Sequence, residues 1–510
     1  MGINYLSILA NVICENWDAP ALSEIDLYSN SSKLHYSYGE LFGRIKWLEE
    51  YYHNIGIKKG VHIAICGHSS ANWAVVYLSL LTTQHPAITI IPTLSKDDIV
   101  KQLSFSDCKL LFVDDMIWND IQSIIPDSIL DVISLADFRT IRGNDKIEKY
   151  HSLNRSQVKV HWADVNIEDL AVICFSSGTT SAPKGVMLPH RSINANVCYR
   201  YDRTSTYCGK NAISLLPFAH VYGQIIDVLL SLCVGMHLHI FTEFPPVESL
   251  LFGLRKIQPT TIMLVPMILE NVVSKLNAKG LSIDEMRRYV LNLFGSNIDL
   301  VGLGGAALSP LLDSVVSYKN GPFAICYGMT ECGTRIAMAI EDMQKVGSVG
   351  PFVPTLKGQI SSNGEILVRG ENVMLGYYKN PEATAAKIDK DGWLHTGDRG
   401  HLDEDGFLYV EGRLNQDMIV LPSGENIHPE NIESIINKIE GVEESLVLNR
   451  NGKLMALVRI KGETSIEKRN NLLAMVNPLL PPYAQLFGME FISEPLARTE
   501  KRTIKRYLYQ

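Results

Sequence analysis

The run Phe175-Ser176-Ser177-Gly178-Thr179-Thr180-Ser181-Ala182-Pro183-Lys184-Gly185-Val186 gathers residue types suited to holding phosphate. Ser176, Ser177, Thr179 and Thr180 bring hydroxyl donors, Gly178 leaves backbone N–H groups uncovered, and Lys184 adds a positive charge. A solvated linker explains Ser176-Ser177-Gly178 equally well, but not the whole run with its lysine. The cradle is not a P-loop. That motif closes on Gly-Lys followed by Ser or Thr, whereas here the lysine stands between Pro183 and Gly185.

A loop of this kind needs a rigid element to deliver it, and the apolar stretch from Leu170 to Cys174 reads as that strand. Before it, Val61 to Cys66, Ala87 to Ile91 and Leu110 to Val113 read as strands, separated by helices from Ser70 to Leu81 and Lys96 to Leu103. The rhythm returns at His237 to Phe241, Thr261 to Val265 and Leu300 to Leu303. Short apolar runs alternating with helices imply doubly wound, mostly parallel sheets, hence two α/β lobes. After about Gly347 the runs shorten and are punctuated by Asn363-Gly364 and Asp405-Gly406, which implies a small antiparallel, barrel-like β piece. The last part reads as a compact α+β unit. Pro429 opens a helix with Ile432, Ile435, Ile436 and Ile439 on one face, and Asn451-Gly452 marks a hairpin. The fold expected is α/β: an N-terminal domain over 1–412, made of two α/β lobes plus the β piece, and an α+β C-terminal domain over 413–510.

With 510 residues, 46% hydrophobic and 20% charged, the chain can bury several cores. Its 47 basic and 55 acidic residues leave a net charge of −8, which gives no drive toward nucleic acid or an anionic membrane. A small-molecule enzyme is the better expectation. The apolar stretch Ile225 to Met236 is interrupted by Asp227, Ser231 and Gly235 and falls short of the roughly 20 residues of a spanning helix. The first residues lack the basic flank of a signal peptide, and nine scattered cysteines without a C-x-x-C pair fit reduced thiols better than disulfides or zinc. A cytoplasmic location follows as the expectation.

The Ser/Thr loop resembles the signature loop of the adenylate-forming superfamily, and further segments resemble that family's motifs in order. Pro217-Phe218-Ala219-His220-Val221-Tyr222-Gly223 is similar to the acyl-site segment, Gly304-Gly305-Ala306-Ala307-Leu308 to the adenine-pocket turn, and Tyr327-Gly328-Met329-Thr330-Glu331 to the second nucleotide motif. Gly397-Asp398, Gly412-Arg413 and Gly424-Glu425-Asn426-Ile427-His428-Pro429 complete the series. The resemblance implies ATP, Mg²⁺ and coenzyme A as cosubstrates and cofactors. It casts Thr330 as a donor to the α-phosphate and Glu331 as the Mg²⁺ ligand. Gly304, Gly305 and Ala306 would lie against a purine whose other face Tyr327 covers, with Gly328 beside it. Asp398 would accept from the ribose hydroxyls and Arg413 donate to the sugar. His220 would gate the carboxylate, Lys184 would serve the phosphates, and the Gly424 loop would line the thiol tunnel after the C-terminal domain rotates about a hinge at Asn415 to Asp417. His161, His237, His239 and His401 read as structural.

The resemblance also bears on the acid. Val221 stands where amino-acid-activating relatives carry Asp, and Gly328 where acetate-activating relatives carry a Trp that blocks the channel. A medium- or long-chain fatty acid is the first expectation and an aryl acid the second, with texture most like bacterial long-chain acyl-CoA synthetases. One departure stands out. With Thr499 and Arg506 anchoring the register, Thr503 falls on the family's C-terminal lysine, which bridges carboxylate and α-phosphate. Lys501 and Lys505 are near, but along a strand a two-residue offset displaces the ammonium by about 6.6 Å. Three outcomes follow: an acyl-CoA ligase, an enzyme passing the acyl group to a carrier-protein phosphopantetheine thiol, or an adenylation-impaired acyl or nucleotide binder.

Overall fold

The computed structural model describes residues 4–25, 32–143, 147–162, 164–175, 184–199, 207–414, 419–423, 425–460, 466–497, 504 and 506–509. Ser176, Ser177, Gly178, Thr179 and Thr180, the hinge at Asn415 to Asp417, Gly424, Lys501, Thr503 and Lys505 lie outside the described residues.

In the first lobe the strands Ile63–Cys66, Ala87–Ile90 and Leu110–Val113 are buried at every position, as a parallel sheet covered on both faces requires. Ile63 pairs with Ala87 on one side and Leu110 on the other, both in parallel. The helix between the first two runs from Ala71 to Thr83, and the Ser70 side chain caps it by accepting from the Trp73 N–H. Leu170–Phe175 joins this sheet beside Ala87–Ile90 and pairs with Gly185–Pro189.

The second lobe is another eight-stranded sheet, in which Thr261–Leu264, Leu300–Leu303 and Phe323–Tyr327 lie parallel and Ala337–Ile340 closes the edge antiparallel. Its far edge is made by the N-terminal strands Pro20–Ile25 and Ser32–Ser37, which the sequence reading did not place. The Ile225 stretch is a π-helix, Gly223–Leu230, buried throughout. Asp227 inside it accepts from the Ser214 hydroxyl at 2.6 Å, and burial pushes its carboxyl up to about 8. Among the described residues no helix is long and apolar enough to cross a membrane.

The antiparallel piece is a four-stranded sheet of Leu356–Ile360, Glu365–Gly370, Leu394–Leu402 and Leu408–Arg413, in that order, whose outer strands do not pair with each other among the described residues. From residue 419 onward the chain has its own core, with Ile432 and Ile436 buried against Val447, Leu454, Ala456 and Val458. Strands Val442–Arg450 and Lys453–Ile460 form the expected hairpin. Asn451 and Gly452 turn it at φ +53° and +78°, the left-handed pair a tight two-residue turn needs. All nine cysteines are free thiols.

Candidate active site

The carboxyl ends of parallel strands are where α/β sheets present ligand-binding groups. Gly304 follows Leu300–Leu303, and Tyr327 ends Phe323–Tyr327, its immediate neighbour in the sheet. Gly305 has φ +83°, a conformation that lets the backbone turn flat beside Tyr327. The Tyr327 hydroxyl donates to Asp398 Oδ2 at 2.5 Å, joining the second lobe to the four-stranded sheet. Asp398 is buried, its backbone N–H donating to Thr396 Oγ1 at 3.0 Å. In the strand register Asp398 lies directly opposite Arg413. The turn, the ring and the carboxylate that the sequence assigned to purine and ribose thus meet in space.

Thr330 and Glu331 form one turn of 3₁₀ helix, Thr330–Cys332, right after Tyr327. Glu331 is buried, and Tyr377 donates its hydroxyl to Glu331 Oε1 at 2.7 Å. That carboxylate, together with burial, raises the Tyr377 phenol well above its ordinary range. Tyr377 pairs with Val186 across the sheet, which brings the Lys184 ammonium to 5.9 Å from its ring centroid. Lys184 and Glu331 therefore share one neighbour, Tyr377, which brings a cation and an anion to the same ring. One buried carboxylate with a free oxygen suits Mg²⁺, which takes one or two protein carboxylates and completes its shell with water and phosphate. Tyr377 escaped the sequence reading because its partner is 46 residues away and no local pattern marks it.

His220 and Val221 precede the π-helix, whose first residue Gly223 packs so tightly that a Cβ would come within 2.4 Å of the Pro217 carbonyl oxygen. Solvent still reaches His220, yet the crowding of protein around it holds its pKa below the usual imidazole value, with Glu425 pulling the other way. Glu425 belongs to the C-terminal unit, and Tyr483 of that unit feels Asp98 of the first lobe. The loop beside Gly424 accordingly faces the acyl-site histidine. Gly328 has a second reason to be glycine, since a Cβ would fall 1.4 Å from the Thr334 carbonyl oxygen. Its bareness is a demand of the backbone before it is a feature of the acyl channel. A cavity of about 690 Å³, lined by Tyr199, Leu230, Leu300, Arg335 and Met338, runs toward the amino-terminal ends of the strands Leu300–Leu303 and Phe323–Tyr327, where Asp299 and Glu341 also line it.

The model of the AMP-binding enzyme family matches residues 14–378. The peroxisomal OPC-8:0-CoA ligase 1 of Arabidopsis thaliana is 26% identical over 487 residues, covering 90% of this chain and 85% of its own. The long-chain-fatty-acid–CoA ligase of Bacillus subtilis (strain 168) is 30% identical over 362 residues, 67% of this chain and 62% of its own. Among solved structures, a double mutant of o-succinylbenzoate CoA synthetase from Bacillus subtilis, bound to a product analogue, superposes with a TM-score of 0.76 at 22% identity, over 99% of this chain and 98% of that one. The amide bond synthetase of Marinactinospora thermotolerans gives 0.78 at 20% identity over 99% of both chains. At these identities the two structures speak for the fold, α/β sheets with a small C-terminal unit.

Proposed function

The chain belongs to the AMP-binding enzyme family of acid–thiol ligases, and from that premise we propose that it activates a medium- or long-chain fatty acid in two steps. First the carboxylate oxygen attacks the α-phosphorus of ATP, the bond to the bridging oxygen breaks, and pyrophosphate leaves an acyl-adenylate. Then a thiol, that of coenzyme A, attacks the acyl carbon and expels AMP. Little covalent chemistry falls to the side chains, so positioning and charge neutralisation carry the rate. The observation that carries this reading is the Tyr327–Asp398 contact beneath the Gly304–Gly305 turn, a preformed seat for adenine and ribose.

Within that seat Asp398 and Arg413 hold the ribose, and Thr330 faces the α-phosphate. Glu331 would hold a Mg²⁺ ion, which would supply neutralisation of charge on the leaving group. Lys184 adds a fixed cation on the same side. His220, held toward its neutral form, can sit beside the substrate carboxylate as a hydrogen-bonding gate. The influence of Glu425 on His220 supports a C-terminal unit that lies close to the acyl-site segment. Val221 leaves no anion for an α-ammonium, and the apolar part of the cavity wall, Leu230, Leu291, Leu300 and Met338, supports room for a hydrocarbon chain at about 0.8 kcal/mol per buried CH₂. These features favour a fatty acid over an amino acid. The domain division at 412 and the hinge at Asn415 to Asp417 belong to the same proposal, as does a cytoplasmic location.

A second reading, impaired adenylation with the thiol step or acyl binding retained, is favoured by Thr503 in place of lysine. Losing a preorganised cation at the reacting phosphate costs about 3–4 kcal/mol, a factor of about a hundred to a thousand in rate. The test measures pyrophosphate release with ATP, Mg²⁺ and fatty acids of graded length, with CoA, with a phosphopantetheinylated carrier protein, and with neither. It is run on the natural chain and on Thr503→Lys. Release by the natural chain that needs a fatty acid supports the first reading; release that appears only in Thr503→Lys supports the second. No release from either protein overturns the enzyme readings and leaves only an acyl or nucleotide binder.

A further inference from the structure

Arg335 is a buried cation that the nucleotide chemistry leaves unused. It precedes the edge strand Ala337–Ile340 and is 7% exposed. Its Nη1 donates to the Asn196 carbonyl at 2.8 Å, its backbone N–H donates to Asn196 Oδ1 at 3.1 Å, and its guanidinium carbon stands 5.9 Å from the Tyr199 ring centroid. Nε is buried with no hydrogen-bond partner, and among the described residues no carboxylate pairs with the guanidinium. A guanidinium keeps its charge at any working pH, and a buried charge without a counter-ion is costly. Such a group is normally explained by an anion that binds it.

Its position says which anion. Arg335 lines the cavity of about 690 Å³. At that end of the cavity the Arg335 Cα lies 3.2 Å from where a Cβ of Gly328 would stand. Its field also acts on Tyr222 and Cys326, both of which approach within 3.4 Å of a Cβ built on Gly304. The guanidinium therefore sits at the end of the cavity nearer the adenylate turn. Beyond it the cavity is lined by the apolar Leu291 and Leu300 among the polar Asn292 and Asn320, and Glu341 and Asp299, farther along, would repel an anion that passed Arg335.

We propose that Arg335 is a specificity-determining residue and that the acid activated is a dicarboxylic acid, one carboxylate meeting ATP and the second pairing with the Arg335 guanidinium through Nε and Nη2. This rests on the acid-activating reading above and narrows it: a hydrocarbon chain that ends in a second anion. Nη1 is already held by Asn196, which fixes the plane of the fork and leaves its other edge for the two parallel bonds a carboxylate makes.

The test pairs α,ω-dicarboxylic acids with monocarboxylic acids of the same length: adipate with hexanoate, suberate with octanoate, dodecanedioate with dodecanoate. It measures pyrophosphate release for kcat/KM and calorimetric titration for affinity, in the wild type, Arg335→Met and Arg335→Lys. At the favoured length the wild type should prefer the diacid by about tenfold to a hundredfold, the worth of a hydrogen bond to a charged group. Arg335→Met should lose that preference while its affinity for AMP stays, and Arg335→Lys should recover part of it. A wild type that prefers the monoacid at every length, or a ratio unchanged in a well-folded Arg335→Met, overturns the inference and leaves acid activation standing. If no acid releases pyrophosphate, the activating reading fails, and the calorimetric ratio decides Arg335 by the same criteria.

Discussion

Replacing Asp398 with Asn removes one charge and almost no volume from the ribose side of the site. The carboxylate is 6% exposed and accepts from the Tyr327 hydroxyl at 2.5 Å, while its backbone N–H is anchored on Thr396 Oγ1 at 3.0 Å. The substitution leaves the backbone anchor alone, and the Asn oxygen can still accept from Tyr327, so the fold should lose no more than about 1 kcal/mol. The nucleotide loses more. A hydrogen bond to a charged group contributes about 1.5–3 kcal/mol against about 1 for a neutral pair, so two ribose hydroxyls together forfeit about 1–4 kcal/mol. At 1.4 kcal/mol per decade, AMP should bind about five- to several-hundredfold more weakly. Calorimetric titration with AMP and with 2′-deoxy-AMP, in both proteins, separates this effect from a general loosening. The deoxy penalty should be large in the wild type and shrink in Asp398→Asn, because the two changes remove one interaction. AMP affinity unchanged within about twofold, or a deoxy penalty equal in both proteins, would refute the placement of the ribose on Asp398.

Two further expectations concern stability. Burial pushes the Asp227 carboxyl up from its ordinary 3.8 to about 8, so between those values the native state holds a proton that the unfolded chain has lost, and stability falls as pH rises through that window. Asp227→Asn, whose amide oxygen still accepts from Ser214, should flatten that decline and gain a few kcal/mol near pH 8 in urea titrations; a variant no more stable than wild type there sinks the argument. In the C-terminal unit Arg506 donates to both oxygens of Glu433, each at 2.7 Å, with both residues buried. Arg506→Met strands that carboxylate at a cost of about 3–5 kcal/mol, enough to lower the unit's calorimetric transition by more than about 10 °C. A wild-type transition would show that Glu433 finds another partner.

The strands were legible because burial on both faces leaves uninterrupted apolar runs, as at Leu110–Val113 and Ile63–Cys66, and the helix starts because Ser70 and Pro429 mark them locally. Site residues at strand ends could be read from glycine and hydroxyl patterns for the same reason. What escaped was set by contacts distant in sequence. Tyr377 matters through Glu331, Arg335 through Asn196 at a separation of 139 residues, and Pro20–Ile25 through His237–Phe241. The π-helix around Asp227 was visible only as an apolar stretch with a misplaced charge, since widening a helical turn leaves no signature in residue type.

The departure at Thr503 gains weight from what surrounds it. Arg506, three positions on, is held in place by Glu433 on the helix Pro429–Ile436, and its Nη1 also donates to the Val447 carbonyl at 3.3 Å on the strand Val442–Arg450. The Val447 N–H in turn donates to Glu433 Oε1 at 2.7 Å, so one carboxylate locks helix, strand and chain end together. A slip that moved Lys501 or Lys505 onto the position of Thr503 would carry Arg506 off Glu433 by about 6.6 Å and strand a buried anion. Register is therefore the costly variable, and side-chain reach the cheap one. On the proposed chemistry, a cation supplied at the reacting phosphate by this chain must come either from a lysine bending back within the present register or from a group outside the C-terminal run, such as Lys184, whose ammonium stands 5.9 Å from the Tyr377 ring centroid.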